Sequence, residues 1–123
     1  METVPISSLG AYTLTLDCQE PWYSHIKANR KCVEGRCGKR YKLLNANDVI
    51  KLENGDHSDF LLLRVKHIAV YSTFRAMIEA ESLADILPGV ESVDVGVSIY
   101  RQFYPEKAER EHGVVGIHFE IIE

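Results

Sequence analysis

The chain has 123 residues, 46% of them hydrophobic, and a formal net charge of -4 at pH 7. This length predicts one domain over residues 1–123, with a core at about 12–122, because it can bury a core but is too short for two domains of ordinary size. It contains neither a stretch of roughly 18 apolar residues nor a basic leader before an apolar run, which argues against membrane insertion and secretion.

The cysteines and histidines show no pattern of a metal site or a disulfide framework. The three cysteines are odd in number, and Cys32 and Cys37 do not form a Cys-x-x-Cys pair. The five histidines are scattered without the spacing of metal ligands. We therefore expect an intracellular protein, cytoplasmic or nuclear, with reduced thiols and with neither a metal nor a cofactor.

The first predicted elements are a strand and a short helix. Residues 12–17 alternate apolar and polar side chains, which is typical of a strand with one buried face. A helix is predicted over 20–28. Trp22 and Ile26 share one face of this helix and are expected in the core, and Pro21 suits its first turn.

The next segment joins this helix to a second strand. Asn29 is expected to end the helix, since asparagine tolerates a left-handed backbone conformation. A short strand follows over 32–36, in which Glu34 and Arg36 point to the same face. Lys31 lies at the junction, where periodicity does not fix the direction of its side chain.

The middle of the chain predicts a hairpin and a long strand. A turn over 43–48 leads into a strand over 49–53, and an Asn-Gly pair predicts a tight connection over 54–58. The strand predicted over 60–71 is the most β-rich segment, and it is long enough to bend through a barrel.

Two capping residues predict helices in the second half. Thr73 is expected to cap a helix over 74–81, and Ser92 a helix that Pro105 stops. The remaining predicted elements are a short helical turn over 83–87, a charged loop over 106–112 and a closing strand over 113–122. Helices that alternate with long strands favour an α+β domain built around a mixed, curved sheet.

Positive charge is concentrated between residues 27 and 42. This segment holds seven of the fourteen Lys and Arg residues and a single acid, Glu34, which leaves a local surplus of six positive charges. A surplus of this kind in an acidic chain suggests a site for an anion such as a phosphate backbone.

Lys31, Glu34 and Arg36 form the pattern Lys-x-x-Glu-x-Arg directly after the helix end at Asn29. An Asn-Asp turn into an apolar strand follows. In this arrangement, and over almost the whole chain, the sequence resembles the activating signal cointegrator homology (ASCH) domain family. That family usually has glycine at the position of Asn29 and a Gly-Asp turn, and asparagine adopts the same backbone conformation.

The resemblance implies a PUA-like small mixed β-barrel with flanking helices, and a cleft into which Lys31, Glu34 and Arg36 project. It also implies binding of RNA or nucleotides. In such a cleft, the guanidinium of Arg36 suits a phosphate or a base carbonyl, and Lys31 serves as a general base when it is desolvated. Glu34 is expected to pair with Arg36, either within a binding site or as a structural ion pair.

Some small members of the family are amidohydrolases that deacylate N4-acetylcytidine, and others are nucleases. In the amidohydrolases, a nucleophilic threonine stands at the position of Glu34, and a glutamate on the helix after the long strand supplies acid–base function. Here the threonine is absent, and Glu81 matches the helix glutamate best, with Glu79 as its rival. If the protein is an enzyme, the resemblance implies that Lys31 and Glu81 are catalytic and activate a water.

Lys39, Arg40 and Lys42 are interpreted either as phosphate contacts or as a solvated loop. Tyr41, which lies between them, is the preferred residue for stacking on a base, with a place in the barrel lining as the alternative.

Three hypotheses follow. The first is an RNA- or nucleotide-binding module, and the second is a small hydrolase that acts on a modified nucleoside or on RNA. The third is a protein-interaction adaptor, because the rest of the chain is acidic. The expected partner is RNA, a nucleotide or a nucleoside, and not a membrane. The predicted binding residues are Lys31, Glu34, Arg36, Lys39, Arg40, Tyr41 and Lys42.

Overall fold

Five strands form one mixed sheet in the computed structural model, which describes residues 14–122. The strands are β1 (Leu14–Cys18), β2 (Val33–Cys37), β3 (Val49–Asn54), β4 (Phe60–Tyr71) and β5 (Val114–Ile121). Their order across the sheet is β1-β3-β4-β5-β2, so β1 and β2 are its two edges. The β1–β3 pair is parallel, and the other neighbouring pairs are antiparallel.

Helices flank this sheet. They are α1 (Trp22–Lys27), α2 (Phe74–Glu81), α3 (Leu83–Ile86), α4 (Val93–Arg101) and α5 (Glu106–His112), together with a 3-10 helix over Lys39–Leu43. The predicted fold class, an α+β PUA-like barrel with flanking helices, is confirmed in the form of a curled sheet. No helix within residues 14–122 is long and apolar enough to cross a membrane.

The curl of the sheet depends on the length of β4. Its first residues pair with β3 and its later ones with β5, and the register shifts between Val65 and His67. A bulge of this kind bends a strand and increases its twist. It also changes which residues point inward, because Val65 belongs to the core inside the curl while His67 stacks on His118 outside it.

Two apolar clusters hold the fold together. One lies inside the curl and is built mainly from strand residues such as Leu16, Ile50 and Ile117. The other joins β2 to α2, α3 and α4 around Phe74 and Met77. Both clusters consist of side chains that are almost completely removed from water.

The predicted left-handed asparagines and helix caps are confirmed. Asn29 and Asn47 have φ angles of 62° and 76° in the left-handed region. The side chain of Thr73 accepts from Ala76 N at 3.0 Å, and that of Ser92 accepts from Val95 N at 3.1 Å, so both predicted helix caps are present.

Several predicted boundaries shift by a few residues. The strand predicted over 12–17 is observed from Leu14, and residues 12 and 13 lie outside the described part of the chain. The strand predicted over 32–36 spans Val33–Cys37. In the hairpin over 54–58, the positive φ angle of 62° lies at His57 and not in the Asn-Gly pair.

The charged loop predicted over 106–112 is wrong, because this segment is the helix α5. Ion pairs four residues apart along the helix, Glu106–Arg110 and Lys107–Glu111, favour it. Glu109 is buried on its inner face, where the carboxylate accepts from Phe74 N at 2.7 Å and from Arg101 Nη2 at 2.9 Å. Glu109 therefore ties α5 to the start of α2 and to the end of α4.

Candidate functional site

Lys31 is a buried cation whose hydrogen-bonding capacity is filled by the protein. The residue is only 2% exposed. Its Nζ donates to Val33 O at 2.8 Å and to Ile86 O at 2.5 Å, and it lies 3.3 Å from Glu34 Oε1. An ammonium group has three hydrogens, so each has an acceptor here. Lys31 thus connects the end of α3 to β2.

Glu34 lies between Lys31 and Arg36. Its Oε2 accepts from Arg36 Nη2 at 2.9 Å and from Arg36 Nε at 3.3 Å, while Oε1 faces Lys31. Burial opposes ionisation of Glu34, but the two cations outweigh burial and hold the pKa of the carboxyl below its usual value. The three side chains form a buried cluster with two positive charges and one negative charge, and we call them the basic triad.

Arg36 also connects the two edges of the sheet. Its Nη2 donates to Asp17 O on β1 at 2.6 Å. No backbone ladder joins β1 to β2 within residues 14–122, because the two strands are at opposite ends of the strand order. One guanidinium therefore bridges the gap where a closed barrel would have paired strands.

A cavity of about 220 Å³ lies beside the basic triad, between β1, β2 and α4. It is smaller than the roughly 300–1,000 Å³ sites that enclose drug-sized ligands, so it suits a single small group. Most of its wall is aromatic or aliphatic. These apolar lining residues are Trp22, Leu87, Ile99, Tyr100, Phe103 and Tyr104.

The side chains of Met77 on α2 and Tyr100 on α4 approach β2 closely because Gly35 has no side chain. A Cβ atom at Gly35 would lie 2.6 Å from Met77 Cε and 2.8 Å from the hydroxyl of Tyr100, both far below ordinary contact distances. Tyr100 is 5% exposed and stacks on Phe74 with ring centroids 4.4 Å apart. Its hydroxyl has no hydrogen-bond partner among the described residues.

The structure does not bring Glu81 to the basic triad. Glu34 is paired with Ile117 across β2 and β5, whereas the neighbouring Val33 is paired with His118, so Glu34 and His118 point to opposite faces of the sheet. Glu81 lies on the His118 face and does not line the cavity. The rival candidate, Glu79, is exposed.

Glu81 belongs to a separate polar cluster. Its Oε2 accepts from the hydroxyl of Tyr71 at 2.5 Å and lies 2.8 Å from His118 Nε2. The ring of His118 stacks on that of His67, with centroids 4.0 Å apart. Burial raises the pKa of Glu81, but the hydrogen bonds from Tyr71 and His118 outweigh it, so the net shift is downward.

The exposed cations Lys39, Arg40 and Lys42 lie on the 3-10 helix that follows β2, and none of them lines the cavity. Tyr41 is only 5% exposed and packs in the core inside the curl, where its hydroxyl accepts from Arg40 Nη2 at 2.9 Å. The prediction of Tyr41 as a stacking residue is therefore corrected in favour of its alternative, a tyrosine that lines the barrel.

No site role is predicted from the sequence for the aromatic wall formed by Tyr100 on α4 and by Phe103 and Tyr104 just after it. Trp22 is expected in the core. Trp22 does pack against both apolar clusters, but it also lines the cavity. The signal available in the sequence was the density of aromatic residues just before Pro105.

Comparison with known proteins finds similarity over almost the whole chain. The family model described as "ASCH domain" matches residues 16–123. The crystal structure of hypothetical protein PH0355 is 40% identical, covers 89% of this chain and 98% of its own, and has a TM-score of 0.81. Protein PF0455 from Pyrococcus furiosus, solved by NMR in solution, is 38% identical over 89% of this chain and 97% of its own, with a TM-score of 0.71.

A more distant structure shares the fold alone. The ASCH domain from Lactobacillus crispatus is 12% identical, covers 96% of this chain and 86% of its own, and has a TM-score of 0.63. Among curated proteins, no match was found. Since the family model spans nearly all of the described sequence, the chain belongs to the ASCH domain family.

Proposed function

We propose that this protein is an RNA- or nucleotide-binding module that holds one base or terminal nucleotide in the cavity beside Lys31, Glu34 and Arg36. The ASCH family is PUA-like and is generally associated with RNA binding, which supports this class of ligand. The observation that carries the proposal is the aromatic cavity next to a buried, net positive cluster.

The lining chemistry supports a base as the occupant. Aromatic side chains stack on the faces of bases, and each such contact contributes roughly 1 to 3 kcal/mol in single-stranded complexes. Trp22 and Phe103 line the cavity, and Phe103 is half exposed at 51%, so its ring is accessible from solvent. Stacking on an aromatic wall is by itself possible for every base.

The exposed cations Lys39, Arg40 and Lys42 are proposed as phosphate contacts outside the cavity. They follow Arg36 by three to six positions in the sequence, and their side chains reach solvent. A cation that neutralises a phosphate releases a counterion, so contacts of this kind make affinity depend on salt.

Binding is favoured over hydrolysis by the placement of two residues. Lys31 has an acceptor for each of its hydrogens, and Glu81 lies on the other face of the sheet from Glu34. A general base needs a free site within hydrogen-bond reach of its substrate proton. Turnover of N4-acetylcytidine that is abolished in Lys31→Ala would reverse this preference.

The proposal is tested by titrating the protein with short single-stranded RNA at several salt concentrations. The triple variant Lys39→Gln, Arg40→Gln, Lys42→Gln is expected to bind more weakly and to lower the slope of log K against log salt by about 2, at roughly 0.7 per phosphate contact. The matched control replaces three exposed cations elsewhere, Lys66, Lys107 and Arg110, with glutamine.

Equal loss of affinity in the two triple variants would contradict the assignment of Lys39, Arg40 and Lys42 as phosphate contacts. If the wild-type protein binds neither RNA nor nucleosides, the proposal is wrong and an adaptor role that uses the acidic surface becomes the better hypothesis. If RNA binding survives in Lys31→Ala but is lost in the triple variant of Lys39, Arg40 and Lys42, most of the affinity comes from contacts with the phosphates.

A further inference from the structure

Tyr100 lines the cavity and carries a buried hydroxyl without a hydrogen-bond partner among the described residues. The residue is 5% exposed. Buried polar atoms without a partner are rare in folded proteins, and each one calls for an explanation. A ligand that supplies the missing hydrogen bond is one such explanation.

The ring of Tyr100 is held in place by its neighbours. It stacks on Phe74 at 4.4 Å, and Phe74 stacks in turn on Tyr104 at 5.5 Å. On the other side, the hydroxyl lies so close to Gly35 that even a methyl group there would collide with it. The hydroxyl is therefore fixed before a ligand arrives, which lowers the entropy cost of binding.

Most donors of the charged groups in the cavity are already occupied. Lys31 is bonded to Val33 O, Ile86 O and Glu34, and Arg36 donates from Nε and Nη2 to Glu34 and to Asp17 O. Only Nη1 of Arg36 is left for a phosphate, which would also have to approach the carboxylate of Glu34. Most of the remaining wall is apolar, so an uncharged ring fits the cavity better than an anion does.

We infer that Tyr100 is the specificity-determining residue of this cavity, and that its hydroxyl hydrogen-bonds to a heteroatom on an uncharged, planar heterocycle such as a nucleobase. This inference rests on the proposed function and deepens it, because it separates base reading by Tyr100 from phosphate binding outside the cavity. The basic triad then shapes the cavity and does not itself bind the phosphate.

The direction of the hydrogen bond follows from the environment. Burial raises the pKa of Tyr100 well above its ordinary value, and the nearby Glu34 adds to this effect. The phenol therefore keeps its proton at neutral pH and can donate it to a ligand. In our proposal the ligand presents an acceptor at that point, either a carbonyl oxygen or an unprotonated ring nitrogen.

The test compares Tyr100→Phe with the wild-type protein by calorimetric titration of the four ribonucleosides and their 5′-monophosphates. The variant is expected to bind the preferred nucleoside roughly tenfold more weakly, because one hydrogen bond is lost while the stacking surface stays. Tyr71→Phe is the matched control, since its hydroxyl bonds to Glu81 outside the cavity. It should bind nucleosides as the wild type does.

Two further measurements distinguish recognition of the base by the Tyr100 hydroxyl from a structural role of the tyrosine in packing. A nucleoside analogue with a hydrocarbon ring in place of the base is expected to bind equally to the wild type and to Tyr100→Phe. The denaturation midpoint of Tyr100→Phe is expected to match or exceed that of the wild type, because the lost hydroxyl has no partner in the free protein. A purely structural tyrosine would show the opposite pattern.

Each outcome decides between the two proposals. If Tyr100→Phe binds nucleosides as tightly as the wild type, this inference is wrong while the proposed function stands. If the wild-type protein binds neither nucleosides nor RNA, the proposed function fails, and the inference fails with it.

Discussion

Glu34 and Glu109 are both buried carboxylates, yet they lie in very different surroundings. Each pairs with an arginine and with one further donor group, and each is less than 10% exposed. Glu34 borders a cavity that also contains an unpartnered hydroxyl, whereas Glu109 joins three helices and does not line that cavity. Burial of a charge is therefore no sign of function by itself. The free space and the unused polar atom beside it are the informative features.

The largest expected effect is on stability at Glu109. Glu109→Ala removes the carboxylate that pairs with Arg101 and the acceptor of Phe74 N, so we expect a loss of about 3 kcal/mol in the free energy of unfolding. Denaturant unfolding measures this loss. Glu111→Ala, an exposed residue on the same helix, is the matched control and should change stability by less than about 0.5 kcal/mol. Equal effects would mean that α5 is not anchored through Glu109.

A methyl group at Gly35 is expected to have a smaller effect on stability and a clear effect on binding. Gly35→Ala forces Met77 and the hydroxyl of Tyr100 to move, which should cost about 1 to 3 kcal/mol. Gly116 is directly opposite in the register, and a Cβ atom there would meet its neighbours only at 3.4 Å or more. Gly116→Ala is thus the control. If both variants bind nucleosides as the wild type does, the close approach of α4 to β2 is irrelevant to the site.

The smallest expected change, about 1 kcal/mol at pH 7, is for Glu34→Gln, because the amide keeps hydrogen-bonding capacity and the two cations keep their backbone acceptors. This difference depends on pH in a defined direction. The pKa of Glu34 is lowered in the folded protein from its ordinary value of 4.5. Its ionic contribution is therefore fully present above pH 4.5 and is lost as the pH falls through the folded-state pKa.

The measurement is the free energy of unfolding of both proteins at a series of decreasing pH values. The wild type and Glu34→Gln are expected to differ at pH 7 and to converge as the solution becomes acidic. If the difference in free energy of unfolding stays constant down to pH 3, the ionisation of Glu34 contributes nothing to stability. Glu34 would then resemble an ordinary packed side chain.

The sequence predicted the basic triad because its three members are close together along the chain. Their direction follows from a helix end at Asn29 and from simple alternation along β2. The family resemblance placed them in a cleft, and they do line a cavity. Local geometry of this kind is well encoded in short sequence patterns.

The rest of the site depended on contacts that no local pattern specifies. The place of Tyr100 in the wall depends on the contact of its side chain with Gly35, some 65 positions earlier in the sequence. The placement of Glu81 depends on the register that sets Val33, and not Glu34, opposite His118. The helix α5 was missed because its sequence is almost entirely charged and lacks an apolar stripe, and its single buried anchor is an acid.

The hydrogen bond from Arg36 to the carbonyl oxygen of Asp17 affects how the edge strands β1 and β2 can separate. Paired strands separate only by breaking a row of backbone bonds, whereas a side chain releases its partner by rotating about single bonds. The hydrogen bond across the gap between β1 and β2 can therefore break and form again while the backbone pairing of the sheet stays intact.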